Sequence, residues 1–276
     1  MKLTIGYSPC PNDTFMFDAL VHNKIDTEGL KFEPVLADVE QLNQKAFRNE
    51  LDITKISYHA LIHILRDYSL LHSGSALGHH CGPLLISKYP LDIHTVADND
   101  IGIPGQFTTA NFLLQYFLGR KVHARSLIFS GIESALLNED IKAGVIIHEN
   151  RFTYESKGLI KIQDLGEFWE QQTRLPIPLG GIVAQRRLDH SVIQKLNRAL
   201  RRSIEFAFVY PESSRSYVKR HAQELDDQVI ESHIRLYVNP FSIDLGESGI
   251  QAVQTFIGKA ARFNDLTIPE DGLFAS

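Results

Sequence analysis

Through residue 185, short apolar runs alternate with stretches in which apolar side chains return every three or four positions; beyond residue 189 only the second pattern continues. The short runs at 3–7, 30–36 and 51–56 predict strands, and the stretches between them predict helices. The first helix runs to about residue 22, with Phe15, Met16, Ala19 and Leu20 on one face and Asn12 or Asp13 where a cap belongs. Asp38 is placed to cap a helix through Phe47. Ser57 stands where a third helix begins, reaching about Asp67 with Leu61, Ile62, Ile64 and Leu65 along it. Further strands are predicted at 69–77 and 83–87.

A second block repeats the alternation. A strand at 100–105 ends in a Gly/Pro turn, and "QFTTANFLLQYFL" opens with hydroxyls and continues as an apolar-faced helix. Strands follow at 125–129, 143–147, 159–163 and 177–185, with a helix from Ser130 to about Leu137 between the first two. Helices are predicted at 189–210, 212–224 and 246–262. Strands alternating with helices imply a mainly parallel sheet. The expectation is an α/β chain of two lobes, 1–90 with 186–276 and 91–185, joined by two crossings near 83–89 and 180–185. In such sheets ligands bind outside the carboxyl ends of the strands, and clefts between lobes are favoured pockets.

Composition narrows the partners. The 276 residues are 43% hydrophobic and 22% charged, a globular profile long enough for a real core. The net charge is −5 and no stretch gathers Lys and Arg with aromatics, so no nucleic-acid partner is expected. Two cysteines, Cys10 and Cys81, with no CxxC pattern favour a reducing compartment over a disulfide scaffold. The start, "MKLTIGYSPCPN", lacks the apolar stretch of about 7–15 residues that a secretory signal needs. No apolar run approaches the roughly 18 residues of a membrane span. A cytoplasmic monomer or homodimer with no membrane insertion is the expectation.

The chemistry-bearing residues cluster just past the predicted strand ends, in "SPCPND", "KISYH", "GQFTTAN" and "HENRF". Three of these segments put hydroxyls near a helix start: Ser8 or Thr14, Ser57, and Thr108 with Thr109. Unpaired N–H groups at helix N-termini together with a hydroxyl favour carboxylates and other anions, so a small anionic substrate is expected. Each hydroxyl taken alone reads first as an ordinary cap, and the ligand reading comes from the four segments taken together. His148 follows the small, apolar "AGVII" strand, and an imidazole there can serve as a general base. It also reads as a hydrogen-bonded structural histidine. In "GHHCG" the adjacent His79 and His80 point to opposite sides of an extended chain, and no second pair has zinc-like spacing, so no metal site is predicted. Cys10 lies between Pro9 and Pro11. Those prolines stiffen the loop, and the thiol reads as a small filler rather than a nucleophile.

In this order, "SPCPNDTF", "KISYHA", "GQFTTAN" and "GVIIHENRFTY" resemble the 1,4-dihydroxy-6-naphthoate synthase family over the whole chain, least distinctively in the last helices. The resemblance implies a fold like type II periplasmic binding proteins, with two α/β lobes around a ligand cleft. It implies a lyase that converts cyclic dehypoxanthine futalosine to 1,4-dihydroxy-6-naphthoate in the futalosine route to menaquinone. The family's proton-accepting histidine falls on His148, and its substrate-contact segments fall on Lys55, Ile56 and Ser57 and on Thr109 with Ala110. Asp13, Asn43 and Tyr154 are weaker candidates. Aromatisation of the product drives the step, so no cofactor is implied, and no GxGxxG or P-loop is found. Two alternatives share the fold: a chorismate-dependent dehydratase of the same pathway and a non-catalytic solute-binding protein. An effector-sensing domain of a transcription regulator would need a further DNA-binding segment.

Overall fold

The chain opens with β1 (Lys2–Tyr7), α1 (Pro11–Val21), β2 (Lys31–Leu36), α2 (Val39–Phe47), β3 (Ile53–Ser57) and α3 (Tyr58–Ile64). β2, β1 and β3 lie side by side and parallel, as strand–helix alternation requires. The expected strand over 69–77 is broken into β4 (Tyr68–Leu70) and β5 (Ala76–Gly78). Between them Gly74 takes a φ of 91°, a conformation open to glycine, and a Cβ there would meet Ile182 at 2.4 Å.

The next stretch carries β6 (Leu84–Ser87), β7 (Ile101–Ile103), α4 (Thr109–Leu118), β8 (Arg125–Ser126) and α5 (Ile132–Leu137). It continues with β9 (Ala143–Ile146), α6 (Asn150–Thr153), β10 (Ile160–Asp164) and α7 (Leu165–Thr173). Its sheet has the order β10-β6-β9-β7-β8. β7 is parallel to both β8 and β9, while β6 runs antiparallel to β9 and β10. The chain then forms β11 (Ile177–Gln185), α8 (His190–Val209), α9 (Arg215–His221), α10 (Asp227–Tyr237), α11 (Pro240–Ile243) and α12 (Gly246–Phe263). β11 enters the first sheet, whose order is β2-β1-β3-β11-β4 with β5 also on β11, and it runs antiparallel to β3 and β4. The expectation of mainly parallel sheets is therefore corrected: each sheet mixes both senses.

This computed structural model describes residues 1–223 and 226–275. The chain divides into two compact units, Met1–Gly78 with Pro178–Ser276, and His79–Ile177. The boundaries expected after residues 90 and 185 both lie downstream of these. β6 belongs with β9 and β10, and β11 with β3, because strands pair with partners distant in sequence that a local pattern cannot name.

The first unit's core gathers β1, α1 and α8 around Leu3, Ile5, Phe17, Leu20, Leu200 and Ile204. Each such side chain, taken fully out of water, contributes about 1.5–3 kcal/mol. α8 buries Ile193, Leu196, Ala199, Leu200, Ser203, Ile204 and Ala207 on one face. The single polar member, Ser203, is satisfied: it donates to the Met16 carbonyl at 2.6 Å and accepts from the Leu20 N–H at 3.0 Å. The second unit packs Leu84, Ile86, Ile132, Leu136 and Ile146 together.

Some local expectations are corrected. No element is predicted over 165–173 or 227–237, yet both are helices. Asp164 caps α7 through the N–H groups of Gly166 and Glu167, and Asp226 caps α10 through those of Gln228 and Val229. The helix expected over 212–224 is a single 3-10 turn, Pro211–Ser213, followed by α9; Glu224 lies outside the described residues. α5 begins after Gly131, so Ser130 does not cap it. Asp38 caps α2 as expected, in a capping box with Gln41. Among the described residues no helix is long and apolar enough to cross a membrane.

Candidate functional site

In the first unit, β1 and β3 are parallel neighbours, so their carboxyl ends share one edge of the sheet. Ser8, Pro9 and Cys10 lead from β1 into α1, whose first position is Pro11. Proline suits that position, since its φ is helical and its missing N–H would have had no partner in the helix. Cys10 is therefore the N-cap residue, and Asn12 and Asp13 stand inside the first turn rather than capping it. Thr14 turns its hydroxyl back onto the Cys10 carbonyl at 3.0 Å.

Asp13 is 2% exposed and gathers four donors. Its Oδ2 accepts from the Ser8 N–H at 3.1 Å and the Ser8 hydroxyl at 2.8 Å. Its Oδ1 accepts from the Asn12 amide at 2.9 Å and the Lys55 ammonium at 2.7 Å. Lys55 comes from β3, so this ion pair ties the two strand ends together. Desolvating a charged pair is tolerated only when the remaining lone pairs are filled, and here they are. Gly180, beside Ser57 in the antiparallel register of β11 and β3, keeps the neighbourhood open. A Cβ there would press on the Ile56 carbonyl at 2.7 Å and approach the Lys55 stem at 3.4 Å.

Ser57 ends β3 and begins α3, but its hydroxyl makes no capping bond. Asn43 of α2 holds it instead. The Asn43 side-chain amide donates to the Ser57 hydroxyl oxygen at 3.3 Å, and the Ser57 N–H donates to the Asn43 side-chain oxygen Oδ1 at 3.0 Å. Because the Ser57 oxygen is accepting, its own O–H must point elsewhere, as a donor. Ile56, alternating with Lys55 and Ser57, points to the other face of the strand and is 1% exposed. The structure thus brings together Asp13, Asn43, Lys55 and Ser57.

The second unit holds a comparable strand-end site. β7 and β9 are parallel neighbours, so the segments that follow them leave one edge of that sheet. After β7, Thr108 is the N-cap of α4: its hydroxyl accepts from the Asn111 N–H at 3.2 Å and donates to the Gly105 carbonyl at 2.8 Å. Thr108 is occupied as a cap, and Thr109 and Ala110 are the first buried residues of the helix.

After β9, His148 adopts a φ of 58°, a left-handed backbone. Histidine visits this region more readily than bulkier residues, yet it still costs about 1–3 kcal/mol and persists only where the surroundings hold it. Three contacts do so. The Asn150 amide donates to Glu133 at 2.6 Å, Arg151 pairs with Asp164 at 2.7 Å, and Arg151 also donates to the Gly82 carbonyl. The His148 ring meets Phe129 edge-on with centroids 5.0 Å apart. Tyr154 instead joins the second unit's apolar core, and its hydroxyl donates to Glu155 at 2.8 Å. Burial and that carboxylate push its phenol up to about 12.

The remaining singled-out residues have structural surroundings. Exposed His79 places its ring 3.0 Å from Glu170, and the same carboxylate accepts the His80 N–H at 2.7 Å. Burial pushes the Cys81 thiol up to about 12. Cys10 is 2% exposed. The anchors Glu133 and Asp164 lie in no motif, and nothing local in the sequence marks them as supports of His148.

Residues 3–262 match the family described as menaquinone biosynthesis. The chain is 43% identical over 258 residues to the 1,4-dihydroxy-6-naphthoate synthase of Thermus thermophilus, covering 94% of this chain and 93% of that one. Among solved structures, protein AF1704 of Archaeoglobus fulgidus superposes with a TM-score of 0.90 at 33% identity, over 96% of this chain and 98% of that one. The Candida albicans CA3427 product, described as having the generic periplasmic binding protein fold, superposes at 0.69 with 14% identity, over 98% of this chain and 92% of that one. The last likeness fixes the architecture alone, as periplasmic-binding-protein-like, whereas the match over residues 3–262 and the 43% identity decide descent: this chain belongs to the menaquinone biosynthesis family.

Proposed function

We propose that this chain cleaves cyclic dehypoxanthine futalosine to 1,4-dihydroxy-6-naphthoate, with His148 as the base that takes the first proton. Its likeness to the Thermus enzyme over nearly the whole length makes it a 1,4-dihydroxy-6-naphthoate synthase. The observation that carries the base is local. His148 stands directly beyond the end of β9, in a left-handed turn pinned by Asn150 and Arg151 and against the ring of Phe129. A backbone held in a costly conformation aims one side chain, as a proton-transfer group requires.

The substrate carries a carboxylate on a bicyclic ring and a sugar-derived remainder. Ser57, whose hydroxyl hydrogen is directed away from Asn43, and Thr109 at the start of α4 are suited to the carboxylate. The Lys55 ammonium adds positive charge. Removal of one proton by His148 sends its electron pair into the adjoining bond. A C–C bond then breaks, its electron pair leaving with the sugar-derived remainder, which takes up a proton, and the ring system is released as the aromatic naphthoate. The same reading places the enzyme in the cytoplasm.

The test is turnover by the purified enzyme of cyclic dehypoxanthine futalosine and, separately, of chorismate. Product from the first alone is expected. Turnover of chorismate instead would replace this reading with the dehydratase, and turnover of neither would favour a solute-binding role.

A further inference from the structure

Two buried histidines among the described residues, His59 and His233, stand outside the reaction as described, and His233 touches the first unit's site. His233 lies on α10, is 0% exposed, and places Nε2 2.9 Å from the Asn12 side-chain oxygen. The charges nearby fix the direction of this contact. An ammonium has only donors, so Asp13 Oδ1 accepts from Lys55; the Ser8 N–H occupies Oδ2 in the same way. With both Asp13 oxygens accepting, the Asn12 atom 2.9 Å from Oδ1 must be its NH2 group. The Asn12 oxygen therefore faces His233, and Nε2 must carry a hydrogen. The result is a one-way chain: His233 donates to Asn12, Asn12 donates to Asp13, and Asp13 accepts the Lys55 ammonium. Asn12 is 5% exposed and Lys55 6%, so the whole chain is dry, which strengthens each bond in it.

We propose that His233 is a positioning residue: through Asn12 and Asp13 it fixes the ammonium of Lys55 for the anionic substrate. A lysine ammonium sits on a flexible four-carbon stem and must otherwise be ordered when the substrate arrives. Asp13 restrains it, and the Asn12 amide restrains Asp13. Without a donor on its oxygen Asn12 is free to turn over, which would set an oxygen against the carboxylate. α10 thereby reaches the substrate-binding edge of β1 and β3 without contributing a residue to it. This inference rests on the reading of Lys55 as a substrate contact.

The experiment compares KM and kcat for cyclic dehypoxanthine futalosine with thermal stability in five variants. His233→Phe keeps the ring volume and deletes the donor. It is expected to raise KM roughly three- to tenfold, the share of one hydrogen bond, with kcat within about twofold. His233→Gln retains an N–H near the Nε2 position and should restore KM. Ile230→Ala, on the same buried face of α10, should lower the melting temperature and leave KM alone. If His233→Phe lowers stability but not KM, or if His233→Gln fails to restore KM, the positioning role is overturned. Should His233→Phe fail to fold, Asn12→Ala cuts the chain at its middle; unchanged KM there overturns the proposal equally. Lys55→Met separates the two layers: unchanged KM in that variant removes Lys55 from substrate binding, whatever His233 does.

Discussion

The two strand-end sites solve the same problem by different means. In the first unit, the proposed binding groups Lys55 and Ser57 are positioned by side chains. Asp13 collects Ser8, Asn12 and Lys55, and Asn43 clamps Ser57 from the neighbouring helix. In the second unit, His148, the proposed base, is positioned by backbone. His148 sits in a left-handed turn, and the stabilising contacts fall on the residues after it, Asn150 and Arg151. The difference matches the roles proposed for the two groups. A binding group such as Lys55 can be held by its own charge, because a restrained ammonium still presents positive potential. A base takes the proton on its own lone pair, so a main chain that sets its direction suits the role proposed for His148.

The comparison breaks first at His148. His148→Asn should fold normally and lose about 10²–10⁴ of kcat; wild-type kcat in that variant would remove the base from the mechanism. With His148 intact, the rate should fall on the acid side, because a protonated imidazole has no lone pair to accept with. A flat profile between about pH 5 and 8, with chemistry rate-limiting, contradicts the assignment.

Next comes the buried charge. Asp13→Ala strands the Lys55 ammonium in a dry site and should cost about 3–5 kcal/mol in urea unfolding. Loss of less than about 1 kcal/mol would mean that the pair is not desolvated as it stands here. Ser57→Ala should raise KM roughly ten- to a hundredfold and leave the melting curve near the parent's, since one hydrogen bond to a charged group is worth about 1.5–3 kcal/mol. Product binding equal to the parent's, measured by calorimetry, would move the carboxylate elsewhere.

The smallest effects concern the thiols. Cys10→Ala should keep most activity, as a filler between two prolines would; an inactive but folded variant, or a substrate adduct on Cys10 by mass spectrometry, would demand a covalent mechanism. Cys81, 1% exposed and with its thiol pushed up to about 12, should stay unlabelled by iodoacetamide at pH 8 in the folded protein. Rapid labelling there would mean that the turn around Gly82 opens readily.

Much of this protein was legible from residue order alone, where the deciding interaction is local. Periodicity marks β1, α1, β2, α2 and β3, because alternating burial and a capping Asp38 act within a few residues. The motifs mark His148, just past β9, and Lys55 and Ser57, which the structure places within the last three residues of β3 rather than beyond it, because a polar turn after an apolar run is itself a local signal. Tertiary structure decided the rest. β6 and β11 choose their sheets by pairing with strands far along the chain, and α7 and α10 bury Trp169 and Tyr237 against the rest of their unit besides carrying Asp caps. Asn12 and Asp13 read as helix caps until the fold brings Lys55 to one and His233 to the other. Those partners come from β3 and α10, and no spacing within a strand or helix encodes which distant side chain will fill a buried lone pair.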